Sequence, residues 1–227
     1  NASASIGLVS TTIWLFGGLI TACSTGFYVQ VAHKVGANNF SDARSVLRQS
    51  LLSSMIFSVV LAAVGVGIRP FLSWWLGGSP EILSDATLYF LVFSLSIPFA
   101  QLNSLCGGML RSSGNVLAPS LINVLMCVLD VIFNAWLIFP TRDVMLFGTM
   151  VSLPGMGLGV LGAVCGTSLS FIVCSLLMCY YACIRSKELD LRQEKGRFLP
   201  QLSTLRSSLK IGLPIGIEHI VFFGAQI

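Results

Sequence analysis

Long apolar runs separated by short polar stretches define this sequence. They lie at about Ile6–Ala32, Leu51–Ile68, Thr87–Cys106, Leu117–Phe139, Leu158–Ile184 and Leu209–Ile227. A bilayer core of about 30 Å needs roughly 20 apolar residues in a helix. The pattern therefore predicts five full spans and a sixth begun. Helix is the expected form, because an isolated strand in lipid leaves its backbone groups unpaired. The runs are also far longer than the alternating segments of about 10 residues that build a membrane barrel. The expected class is an all-α integral membrane protein, a polytopic helix bundle. Pro98 lies inside the third run and predicts a kink with a freed carbonyl. Ser84 and Asp85 are placed to cap that helix.

The connections give an orientation. Lys34, Arg44 and Arg48 fall in the first, Arg111 in the third, and Arg185, Lys187, Arg192, Lys195, Arg197, Arg206 and Lys210 in the fifth. The second and fourth carry only Arg69 and Arg142. Basic residues mark cytoplasmic loops, so the odd connections are expected inside and residue 1 starts outside. Trp74 and Trp75 then sit at the outer end of the second run, where aromatic anchors belong. Ser186–Arg197 reads as a linker close to the anionic inner leaflet.

Composition narrows the function classes. Charged residues make up 10% of the 227 and hydrophobic residues 55%, whereas a soluble domain carries about 25% charged residues. A soluble enzyme, a disordered tail and a nucleic-acid binder are excluded, despite the net charge of +4. The seven cysteines all fall in apolar runs without C-x-x-C spacing, and read as small packing residues. The chain opens with Asn1 and no basic leader, and its last apolar run ends at Ile227, so it reads as a portion of a longer protein. Gly157–Gly162 matches G-x-G-x-x-G, but a dinucleotide site needs a preceding strand and a βαβ unit, and neither is expected. Gly155, Gly159, Gly162 and Gly166 instead read as a small face for close helix approach. No catalytic constellation is present: there is no H-E-x-x-H or G-x-S-x-G, and the two histidines are His33 and His219. No enzyme activity, resident cofactor or metal is expected.

Acids at membrane depth carry the chemistry. Asp130 falls near the middle of the fourth run, where a charge costs about 2.5–3.5 kcal/mol on insertion scales. Asn134 lies one turn on and Asn123 two turns before, so one stripe of the helix carries Asn, Asp and Asn. Such a stripe suits a proton or Na⁺ site, or an inter-helix hydrogen bond that only holds the bundle. Glu218 follows Pro214 by four residues in the last run. Gln101 and Asn103, with Gln30 and Gln226, are further polar candidates on other spans.

Ordered motifs then carry a family resemblance. The first connection reads Val31-Ala32-His33-Lys34-Val35-Gly36-Ala37-Asn38-Asn39, continuing to Asp42-Ala43-Arg44. The third reads Leu110-Arg111-Ser112-Ser113-Gly114-Asn115, with Pro119 following. The fourth span gives Asp130-Val131-Ile132-Phe133-Asn134 and Leu137-Ile138-Phe139. The fifth opens Gly157-Leu158-Gly159-Val160-Leu161-Gly162-Ala163, with Thr167 and Ser170, and the last gives Lys210-Ile211-Gly212-Leu213-Pro214. In order and spacing, nearly all of the chain resembles the multidrug and toxic compound extrusion (MATE) family.

The resemblance implies one six-helix half lacking its first helix, plus the start of the second half. Residues 1–184 would form the N-terminal bundle, 185–208 a cytoplasmic linker, and 209–227 the first helix of the second half. It implies a multi-pass protein of the bacterial cytoplasmic membrane, monomeric at full length. It further implies an antiporter exporting cationic or amphiphilic drugs or metabolites in exchange for H⁺ or Na⁺. The family often carries Asn-x-x-x-Asp or Asn-x-x-x-Asn on the helix matched by the fourth run, whereas Asp130 here holds the first place and Asn134 the second. The implied ion and substrate residues are Asp130 and Asn134, where Na⁺ would bind, with Glu218, Asn123, Gln101 and Asn103. A lipid-linked oligosaccharide flippase of the same superfamily is the nearest alternative, although the spans lack the Lys and Arg a pyrophosphate would require. A non-transporting membrane scaffold is the other.

Overall fold

The computed structural model describes residues 2–76, 80–146, 149–193 and 198–225. Helix α1 spans Ala2–Gly36, α2 Phe40–Leu76, α3 Pro80–Ser112 and α4 Leu117–Ile138. Strands β1 (Pro140–Leu146) and β2 (Thr149–Met156) follow, then α5 (Val160–Tyr180), a π-helical turn (Tyr181–Arg185) and α6 (Leu202–Gly224). Within α1 to α5, five stretches are long and apolar enough to cross a membrane. Even the shortest, the 22 residues of α4, spans about 33 Å at 1.5 Å per residue.

Helices α1, α2 and α3 form the centre. Phe16 and Ile20 of α1, Leu61 of α2 and Phe90 and Ile97 of α3 make one buried cluster. Phe27, Val31, Ala43, Leu47, Leu105 and Met109 make a second toward the basic end. Helix α5 and the π-helical turn after it join α3 through Cys106, Leu110, Met178 and Ala182, and α4 lies outside, packed on α5. Its outer face is Leu121, Val124, Val128, Val131 and Ile132, all exposed, as suits a surface whose solvent is lipid.

Four expectations change. The connection after α4 is an antiparallel hairpin rather than an irregular loop, with Val144 opposite Val151 and Pro140 opposite Met156. The expected polytopic helix bundle stands, with this hairpin as its one non-helical element among the described residues. The G-x-G-x-x-G run does follow a strand, but β2 pairs antiparallel with β1, so no parallel crossover forms and a dinucleotide site has no framework. Helix α3 starts at Pro80, which places Ser84 and Asp85 inside it rather than at its cap; Ser84 O accepts from Thr87 Oγ1 at 2.9 Å. Helix α6 begins at Leu202, seven residues before its apolar run, and Pro98 and Pro214 both lie within continuous helix.

The connection between α5 and α6 is packed down where it is described. Leu189 is fully buried in the second cluster. Arg44 Nε donates to Glu188 O at 3.1 Å and Arg48 Nη2 to Leu191 O at 2.5 Å. The Arg192 backbone N–H donates to Asp190 Oδ1 at 2.9 Å and holds that carboxyl below its ordinary range. Gln226 lies outside the described residues, as do the side chains of Trp74 and Trp75.

Candidate functional site

Glycine sets the geometry of the α4–α5 pair. A Cβ on Gly162 would meet the Leu137 carbonyl at 2.5 Å, and one on Gly166 would meet the Asn134 side chain and, at 3.0 Å, its backbone nitrogen. Only glycine permits this approach. Gly155 belongs to β2 and faces the Phe139 carbonyl within the hairpin connection, so it is not part of a helix face. Gly159 has open space around it and φ of +56°. Its role is the left-handed backbone that turns the chain from hairpin into helix, so it leaves the small face the spacing predicted. Past the end of α4, Gly157, Leu158 and Gly159 N–H groups donate to Phe139, Leu137 and Ile138 carbonyls at 3.0, 2.9 and 3.2 Å.

This approach brings Asp130 against α5. Asp130 Oδ1 and Ser170 Oγ are 3.5 Å apart. The Ser170 hydroxyl has one proton and two acceptors in reach, Thr167 O at 2.8 Å and Asp130 Oδ1 at 3.5 Å. Tyr89 of α3 lies within electrostatic range of Asp130. Asn103 Nδ2 of α3 approaches Met126 Sδ of α4 at 4.0 Å, one turn from Asn123 and from Asp130 along the same face. The side-chain oxygens of Asn103, Asn123 and Asn134 are buried and, among the described residues, lack a hydrogen-bond partner. The result is a polar seam between α4 and its neighbours α3 and α5, holding one acid and three carbonyl-type oxygens. Hard oxygens of this kind suit a proton or a hard cation.

Two of the predicted residues do not join it. Gln101 is buried on the opposite side of α3, where its Nε2 donates to Ser24 Oγ of α1 at 3.0 Å. Glu218 is exposed on α6, which packs on α1 and forms no substantial interface with α4. Gln30 serves that α1–α6 interface, donating to Thr204 O at 3.3 Å and Ser208 Oγ at 2.8 Å. Ser170 and Tyr89 were not among the predicted site residues. Ser170 continues the four-residue series of Gly162 and Gly166, and that spacing already placed it on the face meeting α4.

Known proteins share this architecture. The MatE family pattern matches residues 1–136. Over 98% of its length the chain is 28% identical to the Probable multidrug resistance protein NorM of Thermotoga maritima, covering 45% of that protein. It is 25% identical to the Multidrug export protein MepA of Staphylococcus saprophyticus, over 96% of this chain and 46% of that one. The chain thus spans less than half the length of these relatives. An inward-facing multidrug resistance MATE family transporter of the MOP superfamily superposes with a TM-score of 0.82 at 23% identity, covering 99% of this chain and 47% of that one. An outward-facing conformation gives 0.78. The helices, their order and the matched pattern agree: this chain is a multi-pass membrane protein and belongs to the MatE family.

Proposed function

We propose that the chain is part of a secondary active antiporter that exports cationic or amphiphilic small molecules in exchange for H⁺ or Na⁺. The carrying observation is Asp130, an acid at span depth whose Oδ1 lies 3.5 Å from Ser170 Oγ. No Lys or Arg pairs with it among the described residues. A protonated Asp130 donates to Ser170 Oγ; a Na⁺ ion in its place draws instead on Asp130 and the Asn134 oxygen. Filling and emptying this site biases two facings of a central cavity, so that ion entry on one side drives substrate exit. Glu218, on a separate helix, offers a second negative charge to a cationic substrate. The names of the NorM and MepA relatives, a resistance and an export protein, support the drug-export reading.

The test uses the full-length protein in proteoliposomes. Asp130→Asn keeps size and hydrogen bonding while removing the titration and the charge. It abolishes ion-driven export of a fluorescent cation and leaves insertion intact. Asn134→Ala lowers coupling less, because a neutral ligand is lost and the charge stays. Normal export by Asp130→Asn at every pH and Na⁺ concentration overturns the proposal.

A further inference from the structure

Helices α2 and α6 both lie on α1 yet barely touch one another. Between them runs a crevice floored by α1. Its deeper part, about 380 Å³, is walled by Phe57 of α2 and by Leu213, Ile217 and Ile220 of α6, over Leu19 and Phe27. The polar atoms on its walls are already used: Ser53 Oγ donates to Gln49 O at 2.7 Å, and Ser208 Oγ accepts from Gln30 Nε2 at 2.8 Å. Among the described residues no acid lines it.

The same stripes of α1, α2 and α6 continue toward the basic end into a polar recess of about 270 Å³. Lys34 and Asp42 stand in it, paired at 2.7 Å, with Gln49, Gln201 and Thr204 around them. The mouth is therefore charged but net neutral. An apolar channel within a membrane span, ending at one cation beside one anion, matches an amphiphile with one alkyl chain inserted and a zwitterionic head.

We infer that this crevice is a binding site for one phospholipid, an acyl chain lying between α2 and α6 and a phosphatidylethanolamine-type head at Lys34 and Asp42. The phosphate takes Lys34 and the ammonium takes Asp42, replacing the bridge between them.

The experiment places full-length protein in vesicles containing phosphatidylethanolamine with a diazirine on one acyl chain. The protein is extracted in detergent, washed and then irradiated, and crosslinks are mapped by mass spectrometry. Label stays on Phe57 and Ile217, while Val60, an exposed residue of α2 outside the crevice, loses it. Ser53→Phe and Ile217→Trp fill the crevice from opposite walls; each removes the retained label from Phe57 with insertion unchanged. Loss of label from Phe57 and Ile217 together with Val60 means annular lipid only and overturns the site. Absence of label there even before washing means that another part of the full-length chain covers the crevice, and also overturns it. Equal retention of a phosphatidylglycerol probe overturns the assignment of the head.

Discussion

Adding one methyl group at Gly162 tests a backbone-on-backbone contact in the candidate site. The new Cβ would stand 2.5 Å from the Leu137 carbonyl oxygen, 2.6 Å from its carbon and 2.8 Å from the Ile138 nitrogen. Carbon atoms pack best at about 3.5–4.0 Å, so the methyl is about 1 Å too close. All three neighbours are backbone, and no rotamer change relieves them. Either α4 and α5 part or the first turn of α5 unwinds, at about 1–3 kcal/mol. Opposing this, alanine gains about 1 kcal/mol over glycine inside a helix. Gly17→Ala collects the same gain without the collision, because nothing lies within 4 Å of its added Cβ. The two variants therefore differ by the overpacking cost alone, about 1–3 kcal/mol, with Gly162→Ala the less stable. Parallel thermal unfolding of both full-length variants in one detergent measures that difference. Equal stability of the two refutes the backbone-on-backbone contact, and with it the geometry that holds Asp130 beside Ser170.

Three further outcomes follow from the structure. Arg48→Ala strands the Leu191 carbonyl and costs about 1–3 kcal/mol, read as faster proteolysis of the 186–201 connection; unchanged cleavage rejects the Arg48–Leu191 bond as its anchor. A cysteine at Asn38 stays unlabelled by an impermeant thiol reagent on intact cells while one at Thr141 is labelled, and the opposite pattern reverses the orientation. Asp190 is held below its ordinary range mainly by the Arg192 backbone N–H. A carboxyl lowered in the folded state stabilises above its unfolded pKa of about 3.9 and loses that contribution as pH falls through the lower folded value. Protection of the Arg192 amide, taken relative to its intrinsic exchange rate at each pH, should therefore persist through the ordinary Asp range and be lost only below it.

The spans were legible because lipid leaves the backbone no alternative to internal hydrogen bonds, so long apolar runs map directly onto helices. Helix ends were not, since hydropathy marks where lipid stops and not where hydrogen bonding stops. Helix α2 runs eight residues past Ile68, through Pro70, and α6 starts seven before Leu209. The hairpin was hidden because its pairing joins residues up to 16 apart, and the membrane pattern around it drew the eye to a loop. The Asn123–Asp130–Asn134 stripe could be read from helical spacing within one segment. The roles of Gln101 and Glu218 could not, because they depend on which helix each faces: Gln101 turns to α1, and α6 packs away from α4. Polarity at span depth told that a partner was needed, not which one.

The stitching of α4 to α5 has a mechanical consequence. Backbone bonds join Leu137, Ile138 and Phe139 to Gly157, Leu158 and Gly159. The hairpin locks one end of the pair, and the glycine contacts lock its flank. Two helices fastened along an end and a side have lost the freedom to scissor or slide. They move as one lever, and the 3.5 Å between Asp130 Oδ1 and Ser170 Oγ is carried with the pair, so rearrangement within the bundle is left to seams looser than this one.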